Sequence, residues 1–198
     1  MWPASKWKLW RFGRAVRPEE YSGVRRKAVA YDAMQDLIEL FRHNTWANAQ
    51  VFDLAASVDS QLVTQAAPGT RDTVLGTLAH LAGVEYAYLG MLDGHPPQSR
   101  AEVQAWAAHD LSWFPEQMRE LGARFVRLLE SSTPQTLAAP LNVPWFTFQL
   151  TAREGLRQVL THSAQHRSQV LSWLSAQGTE TPDLDYVLML REERTPRG

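Results

Sequence analysis

The sequence predicts an all-α protein, a four-helix bundle with an irregular N-terminal extension. Three observations carry that expectation. Apolar residues recur at helical spacing in four long stretches, only one of which contains a proline. The one long connection that breaks this pattern, "TPQTLAAPLNVPWFTFQLTA", holds three prolines and only a short β-favouring run. The composition, 44% hydrophobic and 21% charged over 198 residues, is that of a chain able to bury a full core.

The first helix is expected from Ala33 to about Ser57, where Leu37, Ile38, Leu40, Phe41, Trp46, Val51, Phe52 and Leu54 fall on helical spacing. "SVDSQLVTQAAPGT" reads as a connection, with Pro68-Gly69 as its turn signal. Arg71-Asp72-Thr73 opens the second helix, which "DGHPP" stops near Leu92. Residues 99–131 form the third, with Pro115 as a kink or break and Asp110 or Ser112 able to cap a fresh start. After the proline-rich loop, whose short β-favouring run allows a hairpin, the fourth runs from about Thr151 to Gln177 and ends on Gly178 as its C′ residue. "TPDLDYVLML" predicts a short closing helix. The domain division expected is an extension at 1–32, the bundle at 33–190 and a polar tail, "REERTPRG", at 191–198.

The extension is basic and rich in tryptophan, with eight Lys/Arg against three Asp/Glu, whereas the rest of the chain carries twelve against eighteen. It reads either as an arm for an anionic surface or as a loose segment packed on the domain. The whole chain has net charge −1, so no nucleic-acid partner is expected. No apolar run approaches the roughly 20 residues of a membrane span, and the N-terminus makes a poor secretory signal, so the expected location is the cytoplasm. Cysteine is absent, which removes disulfides, thiolate metal ligands and a cysteine nucleophile.

Chemistry concentrates in histidine. In "QVLTHSAQHRSQVLSWL", His162 and His166 stand four apart, one helical turn from each other on one face. Their stripe holds Val159, Ser163, Val170 and Trp173, and the opposite face holds Arg157, Thr161, Gln165, Ser168 and Ser172, so the pair points into the bundle. Two imidazoles a turn apart suit two ligands of one metal. The competing reading is a pair of satisfied core histidines. His80 is the best third ligand, mid-helix beside Thr73, Gly76, Thr77, Val84 and Ala87, a stripe with room for an imidazole. His95 sits in a turn, His109 among alanines near a break, and His43 in a mixed environment. A three-histidine site with an open position has the form of a catalytic centre, and imidazole suits zinc, nickel, copper or iron. Glu85 stands about 140° round the helix from His80, placing it outside the ligand set.

"TLAHLAGVEYAYL", "LTHSAQHRSQVLSWLSAQG" followed by "PDLDYVL", and the opening "LFRHNTWANAQVF" resemble the DinB/YfiT-like metalloenzyme family, over about Met34 to Leu190. The resemblance implies an up-down-down-up bundle, a homodimer, and a divalent metal, Zn²⁺ or Ni²⁺, on His80, His162 and His166. Ser168 stands where the family often has glycine. Relatives that use small thiols imply a metal-dependent thiol S-transferase, with a low-molecular-weight thiol cosubstrate and an electrophile as its partners. Arg167 is then the candidate to hold a carboxylate of the thiol, the alternative being a surface ion pair. Trp46 and Asn48 are candidates to line the cleft, Trp46 otherwise packing as core. A metal-dependent hydrolase and a stress-related metal-binding protein without turnover are the other functions expected of such a site.

Overall fold

A computed structural model describes residues 33–195. The extension expected at 1–32 lies outside the described residues, as do the last three residues of the polar tail. Eight helices and one two-stranded antiparallel sheet make up the described residues. Four of the helices are long: α1 (Ala33–Ser57), α3 (Val74–Leu92), α5 (Phe114–Glu130) and α7 (Ala152–Ala176). They pack as a bundle in which α1 lies principally against α5 and α7, and α3 against the same two. Each long helix therefore packs on helices that are not its nearest long neighbours within its own half of the chain.

The core follows from the apolar stripes. Phe41, Val51 and Phe52 of α1, Leu78 and Leu81 of α3, Phe114, Phe125 and Leu129 of α5, and Leu156, Val159 and Val170 of α7 are all fully buried. Phe41 stacks on Phe125, with ring centroids 4.8 Å apart, across the α1–α5 contact. That contact is close because Gly122 faces Thr45. A Cβ at 122 would lie 2.2 Å from the Thr45 hydroxyl oxygen, so any larger residue would force the two helices apart.

The termini of the long helices are set by local chemistry. Thr73 caps α3, its hydroxyl accepting from the Gly76 N–H at 2.8 Å. Thr151 and Glu154 form a reciprocal capping box at the start of α7. Gly178, at φ 86, closes α7 as expected: the Gly178 N–H reaches the Ser175 carbonyl and the Thr179 N–H the Leu174 carbonyl, both at 3.0 Å. A left-handed residue at C′ satisfies two terminal carbonyls in this way, and glycine adopts it without a Cβ penalty.

The structure corrects the sequence reading in several places. Residues 99–131 break in two, with a fresh start after Asp110 as the alternative expected, but the break lies before Pro115 and not at it. The helix α4 (Arg100–Trp106) ends at Ala107, a 3-10 turn covers Leu111–Trp113, and α5 starts at Phe114. Pro115 occupies the first turn of α5, where its missing N–H has no helical partner to lose. The break comes earlier because α4 packs back on α3, with the Trp106 ring stacked 4.4 Å from Tyr86. The connection after α1 holds a short helix, α2 (Ser60–Thr64), capped by Asp59. The proline-rich loop contains α6 (Pro134–Ala138) and a minimal hairpin, β1 (Pro140–Leu141) pairing with β2 (Leu150–Thr151). The closing helix α8 (Tyr186–Arg194) continues four residues into the segment read as polar tail. No described helix is long and apolar enough to cross a membrane.

Candidate metal centre

The two halves of the site come from α3 and α7, which pack directly on each other. On α7, Val159, Ser163 and Val170 are buried while Arg157, Thr161, Gln165, Ser168 and Ser172 are exposed, so the helix faces the way its pattern requires. That rotation aims His162 and His166 at His80. The His162 Nε2 lies 3.0 Å from the His80 Nε2 and 3.1 Å from the His166 Nε2. Ring centroids are 4.4–5.0 Å apart, with all three planes inclined to one another. One nitrogen from each ring falls within 4.8 Å of the others.

Electrostatics keeps this cluster neutral. Burial pushes His80 down to about 4, with the positive charge of Arg71 and the neighbouring His166 adding to the effect. Burial likewise pushes His162 down to about 3, with His166, His80 and Arg71 contributing. His166 is also lowered by burial, opposed by its hydrogen bond to Gln169. A neutral imidazole carries one N–H and one bare lone pair. Gln169 Oε1 accepts from the His166 Nδ1–H at 2.7 Å, which leaves the lone pair on Nε2 and aims it at the other two rings.

Three neutral rings pointing Nε2 at one another cannot satisfy each other fully. At most one proton can occupy each close nitrogen pair, and no carboxylate among the described residues joins the group. The His162 Nδ1 is buried without a partner among the described residues. The donor set therefore fits a divalent cation of borderline softness: three imidazoles, one with a hydrogen-bonded outer nitrogen, and no fourth ligand among the described residues.

A second polar cluster lies one step round both helices, and the sequence showed little of it. Glu85, on α3, is 0% exposed. Its Oε1 accepts from Asn44 Nδ2 at 2.9 Å, Asn48 Nδ2 at 2.8 Å and Ser163 Oγ at 2.6 Å. Arg167, 6% exposed, donates from one guanidinium nitrogen to Asn44 Oδ1 at 2.6 Å and Asn48 Oδ1 at 2.7 Å. The two asparagines thus bridge a buried acid and a buried cation. Burial draws the Arg167 guanidinium down to about 10, against the charge of Glu85 that supports it. Arg167 is buried rather than in a surface ion pair, and it is not among the residues that line the cavity beside His80. Asn48 belongs to this network.

The cleft lies elsewhere. His80 forms part of the wall of a cavity of about 1130 Å³ that is also lined by Arg71, Asp72, Arg100, Gln104 and Trp145. Small residues of α3 and α4, among them Ala79, Gly83 and Ala107, give it room. At its rim Asp72 has φ 70, and the Thr73 N–H reaches back to the Arg71 carbonyl at 2.9 Å, the hydrogen bond of a γ-turn.

The remaining sequence candidates fall apart in space. The His43 Nε2 is 2.7 Å from the Leu184 carbonyl, and its ring lies against Trp46. Trp46 donates to Glu192 at 2.9 Å and borders a separate groove beside Arg42 and Gly122. His95 has a solvent-exposed side chain, and His109 stacks on Trp113 with centroids 3.9 Å apart.

The family model described as DinB family matches residues 32–197. No curated protein matches the chain.

Proposed function

The chain belongs to the DinB family, and on that premise we propose that His80, His162 and His166 hold one divalent metal, Zn²⁺ or Ni²⁺, in a thiol-dependent S-transferase. The observation that carries the reading is the convergence of three neutral imidazole nitrogens, without a carboxylate, beside a large cleft. A divalent cation there lowers the pKa of a thiol or a water that takes its open position, supplying a nucleophile at neutral pH.

The protein's own groups have separable tasks in this reading. Gln169 fixes the His166 tautomer. Glu85, through Ser163, and Arg167, through the asparagines, fix the rotation of α7 against α1 and α3. The cleft admits the electrophile alongside His80 and keeps bulk water from one side of it. The absence of cysteine means that no protein thiol competes with the cosubstrate. A second reading, hydrolysis by activated water, is favoured by Asp72, a carboxylate on the same cleft wall that can take a proton. The family resemblance extends the proposal to a homodimer, checked by light scattering on the purified protein.

Metal analysis by mass spectrometry tests the first step, on protein purified without an affinity-tag metal. About one equivalent per chain is expected in the wild type and none in His80→Ala, His162→Ala or His166→Ala. A metal-free wild type, or variants that retain metal, would sink the reading. Metal-loaded protein incubated with bacillithiol, mycothiol or glutathione and a generic electrophile then separates S-transfer from hydrolysis. Thiol adducts support the transferase, and thiol-independent turnover supports the hydrolase.

A further inference from the structure

Two guanidinium groups line the cleft beside His80, those of Arg71 and Arg100. Neither has a carboxylate partner among the described residues, so both guanidinium edges are available to a ligand in the cleft. Arg71 shares the cavity lining with His80, and its charge reaches all three histidines. It is presented by a γ-turn centred on Asp72, a residue held at positive φ, which is the kind of local strain that persists where a side chain must be placed. Arg100 opens α4 on the other wall, its guanidinium carbon 5.8 Å from the centre of the Trp145 ring. Stacking on an aromatic face orients a guanidinium while leaving its edge N–H groups free for an oxyanion.

We propose that this cleft takes an anionic substrate, whose carboxylate or phosphate is held by Arg71 and Arg100 with Trp145 against its body. Guanidinium groups match the planar geometry of carboxylates and the oxygens of phosphates, and each pair of charge-assisted hydrogen bonds is stronger than a neutral pair. The small residues of α3 leave space between the two arginines for a compact molecule, and His80 places the reacting end next to the metal site. The inference rests on the cleft being the substrate site of the proposed enzyme, but not on the thiol.

The test is binding of three probes to the full-length, metal-loaded protein by calorimetry: succinate, inorganic phosphate and the neutral succinamide. Succinate or phosphate is expected to bind, the tighter of the two naming the anion, with succinamide at least tenfold weaker. Arg71→Gln and Arg100→Gln are each expected to weaken the anion by tenfold or more at unchanged metal content and melting temperature. Anions no tighter than succinamide, or both arginine variants binding like the wild type, would overturn the proposal. Loss of anion binding in His80→Ala alone, with the arginine variants unaffected, would assign the anion to the metal and overturn it equally. A protein that takes up no metal yet still binds the anion through both arginines would sink the metal reading and leave this one standing.

Discussion

The two buried polar clusters differ in a way that separates structure from chemistry, although they share the same turns of the same helices. His162 and His166 point one way from α7, while Ser163 and Arg167, one residue on from each, point about 100° further round. On α3, His80 belongs to the first group and Glu85 to the second. The Glu85–Arg167 cluster contains opposite charges bridged by two asparagines, with three donors on one carboxylate oxygen and none on the other among the described residues. Among the described residues, the histidine cluster contains three lone-pair donors facing one another, one orphaned nitrogen and no counter-charge. A buried acid and a buried cation that offset each other's charge hold a fold together. Buried lone pairs that face one another with no charge to offset are held in place for something else.

The sharpest way to break this comparison is Glu85→Ala. Removing the acid leaves a buried guanidinium uncompensated, and a loss of about 3–5 kcal/mol is expected in chemical denaturation. A loss near zero would mean that the network is not structural.

The next test uses pH. His80 and His162 are held neutral well below the ordinary histidine range, at about 4 and about 3, so the unfolded chain binds protons that the folded chain refuses. Stability in metal-free protein is therefore complete above about pH 6.5 and lost as pH falls towards 3. Both rings are partly exposed, so the loss is discounted to roughly 1–2 kcal/mol for each. Urea titrations at pH 7 and pH 4, in wild type and in His162→Ala, measure it. A flat profile in the wild type would contradict the neutral cluster.

Metal addition sharpens the contrast from the other side. At a free concentration 100 times its dissociation constant, Zn²⁺ or Ni²⁺ stabilises by about 2.7 kcal/mol. That increment is expected to vanish in His80→Ala and to survive in Ser163→Ala. Gln169→Ala is expected to keep the fold and weaken metal affinity by about 10–100-fold, read by competition with a chelator, because it releases the His166 tautomer. Ser163→Ala takes one of three donors from Glu85 and costs about 1 kcal/mol with metal content unchanged.

The long helices were legible because each one carries its own periodic stripe, and α1 and α7 match their expected limits closely. The break between α4 and α5 was not, since it depends on Trp106 finding Tyr86 on another helix rather than on the local proline. The histidine cluster was readable because two of its members share one face of one helix. The charged network was not, because Arg167 stands 123 positions from Asn44 and 119 from Asn48, too far along the chain to share a local pattern with them. Glu85 was visible as an acid near His80 on the chain, but its burial depends on three helices meeting around it. Arg71 and Arg100 were invisible as a pair, since the cavity that unites them is made by α4 folding back on α3.

The left-handed turn at Asp72 carries a consequence for how the protein can change. Glycine would adopt φ 70 more easily, and the Asp72 carboxylate makes no hydrogen bond or ion pair among the described residues that would repay a side chain there. A drift towards a more stable molecule has an obvious first step at this position, and that step would remove an acid from the cleft rim and loosen the peptide that carries Arg71. Rigidity and capacity for chemistry compete at one residue, so laboratory selection for heat resistance alone is expected to find Asp72 early and to spoil the cleft when it does.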